Sequence, residues 1–531
     1  GNSVINKLNK QETKRMNKFK KILASVLGCA MLFSAGACSG HYEGEIVDDA
    51  NDVLSGTLNI RLFEAGYGTA WLDNVAQAFN ERYPDVKIKI YPSTERLQIL
   101  GEVTDKTDKY DIIMHESELE DYIDCLEPID DVYAYKNKGE DKTVGEKLIP
   151  IYLDFLKKNG HYYRLPSYVG VYGLVYNADY IYDDEIPVTT DELLATCHNL
   201  KSSIKPIIFS GESGTEYWNF IYCTWFAQYE GREAYTAALH GQAIDENGEY
   251  KFDPATAYLD GGLKAMQVCE DLLWYDNGYI KSDSTGLQFI VAQREFLKGQ
   301  AAIMYNGSWM FNEMQLQFPN GTDSDFKMMK VPVISAIREK CPTISDDKEL
   351  AALVRAIDGG ATSCSGEGYD VSEEDFACVK KARNFYYAGA ESASAVIPVR
   401  ARNKTIAKRF LEVMYSEESI MRHAEAKAGN VLPVKSSEFK RDLKTDDAFL
   451  KTAYDILFNN DVFFNHPLIA VTPYCTDAKA NMIEKQFGSQ AAADRKRAAD
   501  SFEAKKQLWT RNDNDKFWTE LMNKGLIKER P

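Results

Sequence analysis

In the stretch FLKGQAAIMYNGSWMFNE, residues 296–313, one indole stands where binding chemistry is possible. Phe296 and Leu297 close an apolar helical pattern, and Gly299 falls where a helix should stop. Residues 301–305 form a short continuous apolar run, which predicts a strand covered on both faces. Asn306 and Gly307 predict a turn, and Ser308 is a good N-cap for a helix beginning at Trp309. Trp309 is thereby placed at the carboxyl end of a strand, where open α/β sheets bind ligands; the alternative is a tryptophan in the core. Glu64 and Tyr67 follow the first predicted strand. A carboxylate there can accept two hydroxyl hydrogen bonds, or it is an exposed loop acid. His115, Glu116 and Ser117 end the third strand, where Glu116 is either a ligand acceptor or a surface carboxylate, and a lone His115 makes no metal site. Trp71 shares a helical stripe with Val75 and Phe79, which favours the core.

The elements that must position these groups alternate. Leu58, Ile60 and Leu62 alternate in GTLNIRLFEAG, and a loop then leads into a helix through Trp71 and Phe79. YPDVKIKIYPS and YDIIM supply two more strands, so strand–helix–strand order predicts a parallel sheet with helices on its faces. Further on, helices are predicted over residues 218–229 and 262–275. Residues 340–376 are polar, acidic and partly Gly/Ser-rich, which predicts a surface insertion with one short helix at 349–357. SQAAADRKRAADSFEAKKQLW, residues 489–509, predicts an amphipathic helix whose charges face water.

The chain of 531 residues is 44% hydrophobic and 27% charged, enough for large cores and more than one domain. Lys18, Lys20 and Lys21 precede an apolar run at 22–33, then SAGAC ends in Cys38: an export signal, too short for a mature membrane span. Residues 1–15 are expected to be an upstream segment, 16–37 the signal peptide and 38–56 a polar acidic tether. Cys38 is the expected lipid attachment site, although residues 35–37 also read as an ordinary A-x-A cleavage site. Residues 1–37 carry seven Lys/Arg and one acid, so without them the net charge of −18 becomes −24. So acidic a chain repels nucleic acid and anionic surfaces. Eight cysteines follow Cys38, with no CxxC and no metal-like spacing, which favours buried thiols over a disulfide framework.

Catalytic patterns are missing. The sequence has no nucleophile elbow, HExxH or Walker loop. A glycosidase needs two opposed carboxylates, but among 80 Asp and Glu some pair can always be imagined, so counting decides nothing.

Four segments together carry a resemblance. GTLNIRLFEAG…AFNERYPDVKIKIY, YDIIM, NGHYYRLPSYVGVYGLVYNADYI and FLKGQAAIMYNGSWMFNE resemble, in order, motifs of the sugar-binding extracellular solute-binding proteins of ABC importers, the family that includes maltodextrin-binding protein. A looser match runs from IPVRARNK to GNVLPV, and the resemblance covers residues 57 to about 480. It implies an α/β, two-lobed periplasmic-binding-protein-like (type II) fold, with hinge crossings and a ligand cleft between the lobes. The implied division is 57–165 for the N-terminal lobe, 166–395 for the C-terminal lobe, 396–432 for the return and 433–531 for the C-terminal lobe and helical tail. Crossings are expected near Pro166, residues 394–399 and Pro433.

The resemblance also implies a role for each site residue. Trp309 lies on the cleft wall and stacks on a sugar face, whose C–H surface desolvates against a flat ring while its hydroxyls need polar partners. Glu64, Tyr67, Glu116 and Asn306 are the accompanying ligand contacts. Tyr168 and Tyr172 lie on the crossing segment, and Trp218 and Tyr474 occupy positions where the family carries stacking aromatics. The implied partners are a sugar or oligosaccharide and the permease subunits of an ABC transporter, with a lipid anchor in the membrane, no nucleic acid and a monomeric chain. The implied location is the extracellular face of the bacterial cell membrane. No cofactor, metal or catalytic residue is implied. The rival classes are a secreted carbohydrate-active enzyme and a lipoprotein adhesin.

Overall fold

The computed structural model describes residues 46–47, 53–105, 107–115, 120–212, 217–255, 259–364, 370–388, 393–439, 447–458, 461–464, 483–508 and 514–530. Cys38, Glu116 and Tyr474 lie outside the described residues. Residues 44–514 form one compact unit, and the chain beyond 514 belongs to another, in which the helix Asn514–Asn523 brings the rings of Phe517 and Trp518 to 5.0 Å.

Ten strands of the larger unit build two sheets. In chain order they are β1 (Gly56–Phe63), β2 (Val86–Ser93), β3 (Ile112–His115), β4 (Leu165–Gly170), β5 (Tyr172–Asn177), β6 (Lys205–Ile207), β7 (Ala301–Gly307), β8 (Phe326–Met329), β9 (Ala393–Val396) and β10 (Asn430–Val431). The first sheet has the order β10-β4-β9-β3-β1-β2 and the second β6-β7-β5-β8. β1 pairs parallel with both β2 and β3, as the strand–helix alternation predicts. β9 and β10 run antiparallel to their neighbours. Leu58, Ile60 and Leu62 are all buried on β1, while β3 and β7 are buried along their whole length. A strand covered on both faces has no solvent side, so it carries an unbroken apolar run.

A single residue, Val171, separates β4 in the first sheet from β5 in the second. The chain therefore passes between lobes as an almost continuous extended segment. β4 and β9 both lie in the six-stranded sheet, so the chain passes from one sheet to the other at Val171, and residues 165–170 and 393–396 pair within the first sheet. The chain passes again after β10. Val434 bridges Leu148, Ile149 N–H donates to the Pro433 carbonyl at 2.9 Å, and Thr452 then accepts from Met328 N–H on β8 at 2.9 Å.

Six helices flank the sheets or carry rings toward their junction: α1 (Ala70–Arg82), α2 (Tyr217–Glu230), α3 (Met310–Glu313), α4 (Lys404–Met414), α5 (Glu417–Glu425) and α6 (Ala448–Phe458). α1 buries Trp71, Leu72, Val75 and Phe79 at helical spacing, and Phe79 meets Phe410 of α4 at 5.3 Å. α2 is buried nearly all round, which marks a central helix of the second lobe.

Two local expectations give way. Residues 489–509 do not form one wet helix: the helix starts only at Ala498, where the Glu270 carboxylate accepts its first N–H at 2.5 Å. Just before it, Arg497 lies 3.8 Å from the centre of the Trp274 ring and Arg495 4.9 Å, so these cations are docked by stacking and ion pairing. The insertion contains the helix Asp347–Asp358, and a second helix, Glu373–Asn384, begins inside its far end.

Candidate functional site

Trp309 sits where the two sheets meet. β7 does not turn at Asn306 and Gly307; both pair across to β5, opposite Gly173 and Tyr172. Ser308 does not cap the following helix, whose first residue is Met310 and whose cap position is Trp309. Instead its hydroxyl accepts from Val171 N–H at 2.9 Å and donates to the Gly429 carbonyl, while Ser308 N–H donates to Val171 carbonyl at 2.8 Å. Thus Ser308 ties the crossing at Val171 and the residue that leads into β10 to the strand that presents Trp309. Such a role depends on chain segments more than a hundred residues away and leaves no local pattern.

Rings from both lobes surround the indole. Tyr67, in the short turn Ala65–Tyr67 after β1, lies 5.6 Å from it edge-on. Tyr172, opening β5, lies at 4.9 Å and Tyr217, opening α2, at 6.2 Å. The interplanar angles are 75°, 79° and 55°, so none of these three rings is stacked flat on the indole. The row continues into the first lobe, where Tyr67 meets Tyr168 at 4.8 Å, Tyr168 meets Trp71 at 5.3 Å, and Trp71 stacks on His423 of α5 at 4.7 Å. In the second lobe Tyr172 meets Phe220 of α2 at 4.8 Å.

Close approach to backbone lets the rings fit. A Cβ on Gly307 would lie 2.1 Å from the indole's outer carbons, and one on Gly170 would lie 1.8 Å from the Tyr67 hydroxyl oxygen. Neither position tolerates a side chain without moving a ring. Asn312 of α3 reaches back to the first lobe, its Nδ2 donating to the Gly66 carbonyl at 2.7 Å. Ala65, between Glu64 and this glycine, has φ +48°, a conformation an L-residue holds only when its surroundings impose it.

Of the expected site residues, the structure brings Tyr67, Tyr168, Tyr172 and Trp309 into one cluster; Glu64, three residues before Tyr67, is partly exposed and its N–H donates to the Ser93 carbonyl at 2.9 Å. Trp309 is 9% exposed. Asn306 is fully buried and its Oδ1 accepts from Gly307 N–H at 2.7 Å, so it shapes the strand end. Trp218, 1% exposed, lies in the second-lobe core, and the neighbouring Tyr217 takes the place beside Trp309. Tyr217 and Phe220 are three residues apart and share a helix face, while Trp218, Ile221, Tyr222 and Trp225 fill the core.

Charge near the cluster is sparse and shaped by burial. Burial pushes the His423 imidazole down to about 3, against a bond to Asn430 that favours the charged form. Burial also raises the Glu313 carboxyl, whose Oε2 accepts from Gln293 at 2.8 Å. Beside Tyr172 a small recess is lined by Lys330, Arg383 and Phe385; burial lowers Lys330 to about 8, and Arg383 is held by Asp358 at 2.7 Å. No group of three or more His, Cys, Asp or Glu among the described residues could hold a metal. The arrangement offers flat apolar surface between two lobes, which is what a ligand with an apolar face and polar rim requires.

Residues 65–421 match the family of bacterial extracellular solute-binding proteins. The chain belongs to that family. Among curated relatives, the diacetylchitobiose-binding protein NgcE of Streptomyces coelicolor is 24% identical over 283 residues, which are 52% of this chain and 56% of the relative. The chain thus matches little more than half of that relative's length. Solved solute-binding structures show the same fold at low identity. The GacH receptor of Streptomyces glaucescens, known unliganded and with acarbose, aligns at a TM-score of 0.51 and 15% identity, over 86% of this chain and 99% of its own. A protein of xylan utilization from Caldanaerobius polysaccharolyticus gives 0.54 and 15%, over 85% and 99%. Maltose-bound MalE3 of T. maritima gives 0.51 and 17%, over 84% and 99%. These likenesses make the two-sheet architecture that of a two-lobed solute-binding protein.

Proposed function

We propose that this chain captures a sugar or oligosaccharide outside the bacterial cell and delivers it to the membrane permease of an ABC transporter, binding without turnover. The observation that carries this reading is Trp309 between the lobes, met by Tyr67 from one and by Tyr172 and Tyr217 from the other. A ring so placed gains contact with a pyranose face when the lobes close, so the ligand favours the closed form by differential contacts. Family membership supports capture outside the cell, and the sugar-binding names of its relatives support the ligand class, diacetylchitobiose included. In this reading Glu64, Tyr67, Tyr168, Tyr172 and Trp309, with Tyr217, are the ligand wall, and Glu116 and Tyr474 are further contacts. The lobes divide as the crossing at Val171 suggests. Cys38 carries a lipid that holds a monomeric chain at the membrane surface, and the acidic charge keeps nucleic acid away.

A thermal-shift screen over diacetylchitobiose, maltose, acarbose and xylo-oligosaccharides tests the reading. One class should raise the melting midpoint with concentration, since a ligand that binds only the native state stabilises it by mass action. Mass analysis of the same mixtures should return the saccharide intact. Cleavage products would replace the reading with a carbohydrate-active enzyme, and no shift with any saccharide would remove the ligand class.

A further inference from the structure

Seven cysteines among the described residues are free thiols, and two of them belong to segments that the fold clasps together. Cys341 ends the turn after the 3-10 helix Ser335–Glu339, and Cys378 lies in the helix Glu373–Asn384. Between these segments Thr343 acts as a clip. Its N–H donates to Asp375 Oδ2 at 2.8 Å, its hydroxyl donates to the same oxygen, and Ser372 N–H donates to the hydroxyl at 3.0 Å. Cys341 stands two residues before Thr343, and Cys378 stands one helical turn after Asp375. Residues three apart share a helix face, so the clip that docks Thr343 on Asp375 aims Cys378 at Cys341. The two thiols meet side chain to side chain. Cys341 is buried in the second-lobe core, while Cys378 packs against that core and keeps part of its surface.

We infer that Cys341 and Cys378 form a dithiol–disulfide site that closes the inserted segment 342–377 into a loop in an oxidising environment. The reaction needs an external disulfide oxidant, a small-molecule disulfide or a disulfide oxidoreductase. The Cys378 thiolate attacks one sulfur of the oxidant, which leaves as one thiol and forms a mixed disulfide. The Cys341 thiolate then attacks the Cys378 sulfur and expels the second thiol. Two protein thiols lose two electrons and two protons, and one external disulfide becomes two thiols. The division of labour follows from the site. The Cys341 thiol donates to Cys378 and holds it down to about 7 against burial and the Asp375 carboxylate, with Lys340 and Lys381 helping, and Cys341 is pushed up. Cys378 is therefore the more ionised and more accessible thiol, and Cys341 the resolving one. The segment packs Leu350, Leu353 and Val354 into the second-lobe core, and a bond at its base would hold that packing by removing unfolded-state freedom.

Peptide mapping tests the inference on the full-length chain. The protein is equilibrated with oxidised glutathione at pH 7, its free thiols are blocked under denaturing conditions, and it is digested with trypsin. Residues 341–348 should appear joined to residues 356–380, and reductant should release them. Because the second peptide also contains Cys364, Cys364→Ser should keep the crosslink and Cys378→Ser should abolish it. Fragmentation of the crosslinked wild-type peptide between Cys364 and Cys378 assigns the bond even if a variant does not fold. Both cysteines recovered fully blocked after oxidation, or a crosslink that survives Cys378→Ser, would overturn the inference.

Discussion

On the first-lobe side of Trp309 the rings of Trp71, Tyr168 and Tyr67 are 0, 2 and 5% exposed, and the row ends with Trp71 stacked on His423. On the second-lobe side Tyr172, Tyr217 and Phe220 all keep part of their surface. The residue types are the same, but the surroundings divide their work. Rings that are already desolvated hold the first lobe's wall in place, because burying them again can gain nothing. Rings that still face water can give up that water to a ligand, so the larger share of affinity should reside in Tyr172 and Tyr217 and the larger share of stability in Trp71, Tyr168 and Tyr67, while Trp309, 9% exposed, adds affinity through the face it bares when the lobes part.

The largest effect that could break this comparison is Trp71→Ala. Truncating a fully buried tryptophan costs about 3–5 kcal/mol of folding stability. The urea midpoint should fall accordingly, while protein that remains folded should bind ligand with near-native affinity. A large affinity loss at unchanged stability would move Trp71 into the site.

His423 sharpens the same contrast through pH. Its folded-state value, lowered to about 3, lies below the ordinary imidazole value near 6.5, so below pH 6.5 the unfolded chain binds a proton that the folded chain refuses. Stability is therefore lost as pH falls from about 6.5 toward 3. Between pH 7.5 and 5 this one group should cost about 2 kcal/mol. Chemical denaturation of wild type and His423→Phe across that range measures it as the difference in slope. Parallel curves would mean that His423 titrates equally in both states.

Tyr172→Ala should cost less and cost it elsewhere. Loss of a partly exposed ring at the ligand wall is expected to weaken binding by about 1–2 kcal/mol, roughly fivefold to thirtyfold, with the melting midpoint nearly kept. Titration calorimetry with the saccharide that the screen identifies reads the first quantity and a thermal scan the second. Unchanged affinity would empty the contrast between the lobes of its functional meaning.

Much of the scaffold is legible in local pattern. The alternation of Leu58, Ile60 and Leu62 and the unbroken run from Ala301 to Tyr305 become strands because period and burial are properties of consecutive residues. Gly299, with φ +74°, follows the helix Phe289–Leu297 as its position predicts. What depends on distant chain is not legible. Ser308 has the sequence context of a cap, but Val171 and Gly429 claim its hydroxyl. Asn306 and Gly307 look like a turn, yet β5 supplies pairing partners that keep them extended. The choice between Tyr217 and Trp218 is hidden for another reason. α2 is apolar around almost its whole circumference, so no polar face tells which of two neighbouring aromatics looks out of the core. Likewise Glu270, more than two hundred residues away, decides where the helix Ala498–Leu508 begins.

Trp309→Ala gives the most direct test of the central claim that the indole is a binding surface between lobes. Its affinity for the identified saccharide and its unfolding midpoint should be measured on the same preparation. A stacking contact in a desolvated site is worth about 2 kcal/mol or more, so affinity should fall roughly thirtyfold or further while the midpoint stays close to that of the wild type. A loss of about 3–5 kcal/mol in stability, with the surviving folded protein binding normally, would contradict the account and make Trp309 a core residue.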